Sequence, residues 1–268
     1  MKIPFSTSAW LSCLALIQFC GAAAWAAEPV ACHVNSPPHR VALVELYTSE
    51  GCSSCPPADD WLRKQPVQGD GAEQNAVALA FHVDYWNSIG WTDRFSDHRY
   101  TERQNLLAAL VHSRLIYTPE VFVNGHESRN WSGAAWPQLG RLSAAQPAEA
   151  NLTLNQQLDA SGHYRIEGAL DHVSGEHGPI ALFIALYQNN LTSMVKAGEN
   201  SGATLHHVFA VRALSEPAEA HDGRARAELD GTLPEGLPSD MGFVAFAQDM
   251  ASGEILQAVA QKTMPHCE

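Results

Sequence analysis

VALVELYTSEGCSSCPPADDWL, residues 41–62, is the stretch from which the rest of the chain can be read. It opens on a short run of Val, Leu and Tyr (residues 41–47), the composition of a buried strand. A Ser-Glu-Gly turn follows, then Cys52 and Cys55 in C-x-x-C spacing, then Pro56-Pro57 and the start of a helix. A helix start carries unpaired N–H groups and a partial positive charge. A thiolate placed there is stabilised, and a second sulfur two residues on can close a disulfide. Other chemistries use the same spacing. A structural zinc site needs four ligands, usually two such pairs, and no second pair exists. An inert structural disulfide in a secreted protein is the plain alternative.

Composition narrows the class. The 268 residues are 46% apolar and 17% charged, enough for a large core. The formal charge is −13, from 16 Lys and Arg against 29 Asp and Glu. That balance argues against nucleic acid and anionic membrane surfaces as partners. The 13 histidines are scattered, without H-x-H or H-E-x-x-H spacing.

Residues 1–27 read as an export signal. Lys2 gives the positive start, residues 9–21 the apolar core, and Ala24-Trp25-Ala26 a small-x-small cleavage pattern. The apolar run is short for a membrane span. No membrane span is expected after cleavage, and the expected location is periplasmic or secreted. Cys13 and Cys20 leave with the signal, and Cys32, Cys52, Cys55 and Cys267 stay. An even count in an exported protein fits disulfide chemistry. With Cys52 paired to Cys55, Cys32 and Cys267 are left to each other.

Residues 76–83, AVALAFHV, read as a second buried strand ending at His82. Ligands gather at the carboxyl ends of parallel strands. His82, Trp86 and Trp91 are therefore expected near the cysteines, the two tryptophans in an aromatic loop covering them. Glu45 stands in the first apolar strand. Buried, it would serve as a proton acceptor; outward, as an ordinary surface acid. A helix is expected over 98–112. The sequence YTPEVFVNG, 117–125, suggests a turn at Thr118-Pro119 feeding an antiparallel strand that ends on Asn-Gly. A closing helix is expected over 131–142, with Ser132 as a candidate N-cap.

From there the pattern changes to short strands: 152–158, 164–170, 180–187, 205–214, 225–229, 243–249 and 255–260. Short strands at this density suggest a β-sandwich. Residues 195–207, VKAGENSGATLHH, read as a hairpin connection, a surface facing the first domain, or a plain loop.

C-x-x-C at a strand-to-helix turn, with Thr-Pro before VFVNG, resembles the thioredoxin and glutaredoxin fold. VELYTSEGCSSCPPAD, FHVDYWNSIGW, YTPEVFVNG and AGENSGATLHH resemble more closely a family of exported proteins known only as domain-of-unknown-function family 1223. The resemblance implies an α/β fold: a thioredoxin-like domain over 28–148 with an all-β, sandwich-like domain over 149–268. It also implies that Pro119 is cis and packs against the active disulfide. Ser53-Ser54 departs from the Gly-Pro of ordinary thioredoxins.

The expected activity is thiol–disulfide exchange with protein or small-molecule thiols and disulfides, with no cofactor beyond the redox-active disulfide. Cys52 would be the more exposed nucleophile and Cys55 the resolving thiol. Pro119, Thr118, Trp86, Trp91 and His82 would shape the substrate groove, and Glu45 would move the proton. Two alternatives stand beside it. One is a copper(I) or soft-metal binder using Cys52, Cys55 and His82. The other is an interaction module without catalysis.

Overall fold

A computed structural model of the chain describes Met1 and residues 30–65, 74–133 and 136–263. The expected signal segment and Cys267 lie outside the described residues. The elements begin with β1 (Val30–Asn35), β2 (Ala42–Thr48), α1 (Pro56–Arg63) and β3 (Ala76–His82). A 3-10 turn at Tyr85–Ile89 leads to α2 (His98–Leu110), β4 (Glu120–Val123), β5 (His126–Glu127) and α3 (Trp136–Ala144). Strands then dominate: β6 (Ala150–Leu158), β7 (His163–Val173), β8 (Ile180–Gln188), β9 (Leu191–Met194), β10 (Thr204–His207) and β11 (Ala210–Leu214). The last are β12 (Ala218–Glu219), β13 (Ala225–Thr232), β14 (Met241–Asp249) and β15 (Ile255–Lys262).

This corrects the expected fold class. The chain is mostly β, with three α-helices among the described residues, and it does not form an α/β domain with a separate sandwich appended. One nine-stranded sheet runs through both halves in the order β15-β14-β8-β11-β3-β2-β4-β5, with β12 added on β8. The strand that joins the halves is β11, parallel to β3 at Ala210–Ala80 and antiparallel to β8. Conversely β1, from the first half, pairs with β6 at the edge of a four-stranded sheet, β1-β6-β7-β13. Strand patterns in sequence show which faces are apolar. They do not show which strand sits beside which, and that pairing decides the class here.

The long sheet curls until its far ends meet. The Val41 N–H donates to Gln257 Oε1 (2.8 Å), and the Ile255 N–H donates to the Asn124 carbonyl (3.3 Å). Gln74 exchanges two bonds with Ala260, its Nε2 donating to the carbonyl (2.6 Å) and its Oε1 accepting from the N–H (2.9 Å). Buried amide side chains thus satisfy backbone groups where no regular ladder forms. At this seam Gly125 has φ +83°, and a Cβ there would lie 1.8 Å from the Gly253 carbonyl oxygen, so only glycine fits.

Alternation along each strand sends residues to two faces. Val41, with Leu43 and Tyr47 of β2, joins Phe81, Phe122, Phe183 and Phe246 inside the curl, under Tyr100 and Leu107 of α2. Ala42, Val44 and Leu46 face outward onto Ala58 and Leu62 of α1. Farther along, Leu182, Ile184, Phe243 and Ala245 pack on Leu152, Leu154 and Ile166 of the four-stranded sheet. Each large apolar side chain buried this way contributes roughly 1.5–3 kcal/mol.

Two expected elements differ. The strand expected over 205–214 is broken at Phe209, whose φ of +54° turns the chain between β10 and β11. The closing helix begins at Trp136, and Ser132 lies in a turn before it. The second helix is capped by Asp97, whose side chain accepts from the Arg99 N–H (2.9 Å).

Candidate functional site

Cys52 and Cys55 form a disulfide at the end of β2 and the start of α1. Cys55 is the helix N-cap, and Pro56 and Pro57 fill the first two helical positions. Proline suits those positions, because its missing N–H would be unpaired there anyway. Neither cysteine has exposed surface, although Ser53 and Ser54 between them are exposed. The expected difference in exposure between the two sulfurs is therefore not found. The Thr118–Pro119 peptide is cis. Cys52 Sγ lies 3.8 Å from the Thr118 carbonyl oxygen and 3.3 Å from Ser54 Oγ, and Ser54 Oγ is 3.4 Å from the same carbonyl.

Trp86 is half-buried, and its Nε1–H donates to Thr118 Oγ1 (2.8 Å), fixing the loop opposite the disulfide. Trp91 donates its Nε1–H to Glu50 Oε2 (2.7 Å). Residues 195–203, the connection between β9 and β10, also pack on the C-x-x-C turn, through its backbone. Asn200 Nδ2 donates to the Glu50 and Cys52 carbonyls (2.9 Å each), and the Ser53 N–H donates to Glu199 Oε2 (3.0 Å). Gly198, at φ +75°, passes Trp91 so closely that a Cβ there would lie 3.3 Å from the Trp91 Cβ.

Behind the disulfide is a buried charge cluster. His207 is 2% exposed, with Nε2 3.2 Å from Glu50 Oε1 and Nδ1 3.6 Å from Asp59 Oδ2. Burial opposes charging His207, but the carboxylates of Asp59 and Glu50 outweigh it and raise its pKa to about 9. Burial likewise pushes Glu50 up, while bonds from His207 and Trp91 hold it below the usual carboxylate value. His82 Nδ1 is 2.7 Å from Asp93 Oδ2, which also accepts from the Glu50 N–H (2.9 Å). Burial opposes ionising Asp93, but the His82 charge and these bonds bring it down to about 2. The His82 and His207 rings meet edge to face, their centroids 4.8 Å apart.

These placements correct two sequence expectations. His82 is fully buried beside Asp93 and His207 and does not line a groove. Glu45 is buried too, but Arg103 takes both its oxygens (2.6 and 2.9 Å) and the Tyr47 hydroxyl donates to it (3.0 Å). Arg103 is itself stacked against Phe183 and Phe246 inside the curl. Glu45 is thus an ion-pair partner in the core, with its oxygens committed.

Among the described residues no group of three or more His, Cys, Asp and Glu is placed to hold a metal ion, so Cys52, Cys55 and His82 are not assembled as a copper site. No helix among them is long and apolar enough to cross a membrane. Cys32 is disulfide-bonded, and its expected partner Cys267 lies outside the described residues.

The pattern in sequence assigned no role to Glu199, Asn200 or Arg103. The signal available was the polar, glycine-bearing run AGENSGATLHH, richer in donors and acceptors than a bare turn requires.

What emerges is a mostly-β protein with a C-x-x-C disulfide at a helix start, a cis X-Pro loop opposite it and a hairpin loop bonded to the backbone of its turn. The chain belongs to the family described as "Protein of unknown function (DUF1223)", whose sequence profile matches residues 43–248. It is similar in fold to the X-ray crystal structure of protein AGR_C_4864 from Agrobacterium tumefaciens, at TM-score 0.59 and 24% identity, covering 84% of this chain and 96% of that one. It is also similar in fold to HBP35 of Porphyromonas gingivalis, at TM-score 0.59 and 17% identity, covering 86% of this chain and 77% of that one. No curated protein matches the sequence.

Proposed function

We propose that Cys52 and Cys55 are a reversible thiol–disulfide couple, exchanging with thiols and disulfides of proteins or small molecules in an exported, oxidising compartment. The observation that carries this reading is the Cys52–Cys55 bond itself, across a sequence separation of 3. A bridge that short is a poor staple. Chain-entropy models give roughly 2 kcal/mol for so small a loop, against nearly 5 kcal/mol for one of about 100 residues. Its position between a strand end and a helix start, beside the Thr118 carbonyl, suits chemistry better than stapling.

An incoming thiolate attacks Cys52 Sγ, the S–S electron pair leaves on Cys55 Sγ, and a mixed disulfide forms. A second thiolate then attacks the sulfur of the first reactant. It releases reactant disulfide and the Cys52 thiolate, and two protons complete the dithiol. Run backward, the same steps reduce a reactant disulfide. Ser54 Oγ, 3.3 Å from Cys52 Sγ, is placed to donate to the thiolate that forms there. Exchange with glutathione, followed by mass spectrometry, tests the reading. Cys55→Ser is expected to accumulate a mixed disulfide on Cys52. A folded protein whose disulfide stays intact in excess glutathione would reduce the pair to a structural role.

A further inference from the structure

We infer that residues 195–203 are a latch that selects which reactants meet the disulfide, with Asn200 and Glu199 as its specificity-determining residues. The inference rests on the redox reading of Cys52 and Cys55. Its geometry is that of a clamp. Consecutive latch side chains hold both poles of one peptide unit: Glu199 accepts from the Ser53 N–H, and Asn200 donates to the Cys52 carbonyl. Both of these contacts are to backbone, and Glu199 also interacts with the Ser53 side chain, so the clamp reads the conformation of the C-x-x-C turn together with Ser53.

The latch is firmly rooted and lightly held at its tip. At the root, His207 of β10 is buried between Glu50 and Asp59. Within the loop, the Val195 N–H donates to the Ala203 carbonyl and the Gly202 N–H to the Val195 carbonyl, both at 2.9 Å. At the tip, the Glu199 contact to Ser53 is solvent-exposed and the two Asn200 bonds are only part-buried. Exposed hydrogen bonds trade readily with water, whereas buried ones do not. The tip therefore lifts while the root stays. Displacing a disulfide requires the attacking sulfur to reach Cys52 Sγ from outside the S–S bond, and with the latch seated neither cysteine has any exposed surface. Lifting the tip uncovers Cys52, the residue under the clamp. Small reactants need a small opening and bulky ones the whole latch displaced.

The test uses the full chain, reduced and folded, and measures the rate of modification of Cys52 by N-ethylmaleimide and by a polyethylene-glycol maleimide of several kilodaltons. In Asn200→Ala the bulky reagent should gain about tenfold or more, and the small one about threefold or less. Glu199→Gln alters an exposed group and folds normally. It should shift the same ratio in the same direction by a smaller factor. Hydrogen exchange at the Ser53 amide should quicken in both. Unchanged rates for the bulky reagent and unchanged Ser53 protection in both variants would overturn the latch. The redox reading fails separately, if the oxidised protein exchanges with no thiol while the maleimide ratio behaves as expected.

Discussion

His207 Nε2 stands 3.2 Å from Glu50 Oε1, across 157 positions of sequence. Glu50 lies two residues before Cys52, and His207 ends the strand that carries the covering loop. With Asp59 of α1 on its other side at 3.6 Å, His207 ties three segments into one buried cluster. The groups around it are Glu50 from the turn, Asp59 from the helix, and His82 with Asp93 from the end of β3 and the loop beyond.

Stability should fall with rising pH because of this pair. The folded pKa of His207, about 9, lies above its ordinary 6.5. Its stabilisation is therefore full below pH 6.5 and is lost as pH rises through 9. The difference corresponds to roughly 3 kcal/mol. His207→Asn should be less stable than the parent at pH 6, and the gap should close by pH 10. Chemical denaturation across pH measures it, and a gap that does not change with pH would contradict the assignment.

Glu45 and Arg103 should behave as a structural pair. Removing one partner leaves a buried charge alone, which costs roughly 3–5 kcal/mol. Glu45→Gln and Arg103→Met should each destabilise by about that much, and the double variant by less than the sum. Exchange activity per folded molecule should be unchanged in Glu45→Gln. A loss there at full folding would restore the proton-transfer role that the sequence suggested.

Glu120, directly after Pro119, carries the opposite pH signature. Burial raises its pKa to about 7, against a lowering bond from Gln104. A carboxyl that ionises more readily unfolded than folded destabilises the native state as pH rises from 4.5 to 7. Glu120→Gln keeps an acceptor for Gln104 Nε2, now at 2.7 Å from Glu120, and cannot ionise. It should be more stable than the parent at pH 7.5 by roughly 1–3 kcal/mol, and indistinguishable near pH 4. Equal stability at both pH values would count against a raised pKa.

Cys32 is expected to be bridged to Cys267, tying the edge of the four-stranded sheet to the chain's end. So long a closure contributes roughly 5–6 kcal/mol in loop-entropy models. Non-reducing peptide mapping should recover the 32–267 pair, and Cys32→Ser should lower the denaturation midpoint accordingly. A free thiol at Cys267 in the oxidised protein would exclude it.

Much of this arrangement was legible locally. Alternating and all-apolar runs marked β2, β3, β8 and β14, and Asn124-Gly125 marked the hairpin between β4 and β5. The C-x-x-C pair and Thr118-Pro119 marked the two sides of the site. What was not legible depends on contacts far apart in sequence. Glu45 reads as a lone acid until Arg103 meets it from α2. The histidine pair at 206 and 207 reads as unremarkable until β10 presents His207 to Glu50 and leaves His206 exposed. Ala210 beside Ala80 joins two apparent domains into one sheet, and neither residue announces it.

The last expectation concerns the Cys52 thiol in the reduced protein. A helix start usually lowers a cysteine pKa through its free N–H groups. Here Pro56 and Pro57 remove two of those donors, and the Ala58 and Asp59 N–H groups donate to the Cys55 carbonyl (2.8 and 3.2 Å). The helix contribution is thereby reduced. Glu50 and Asp59 would repel a thiolate, but protonated His207 between them offsets much of their charge. Ser54 Oγ supplies one direct donor at 3.3 Å. Together these place the Cys52 thiol modestly below free cysteine rather than at the extreme low end. The pH profile of iodoacetamide alkylation in Cys55→Ser reads the value directly, since slow access through the latch scales the whole curve without moving its midpoint. His207→Asn removes the offsetting charge and should move that midpoint upward. A midpoint at or above that of free cysteine, unmoved by His207→Asn, would mean that the buried cluster does not act on the thiol.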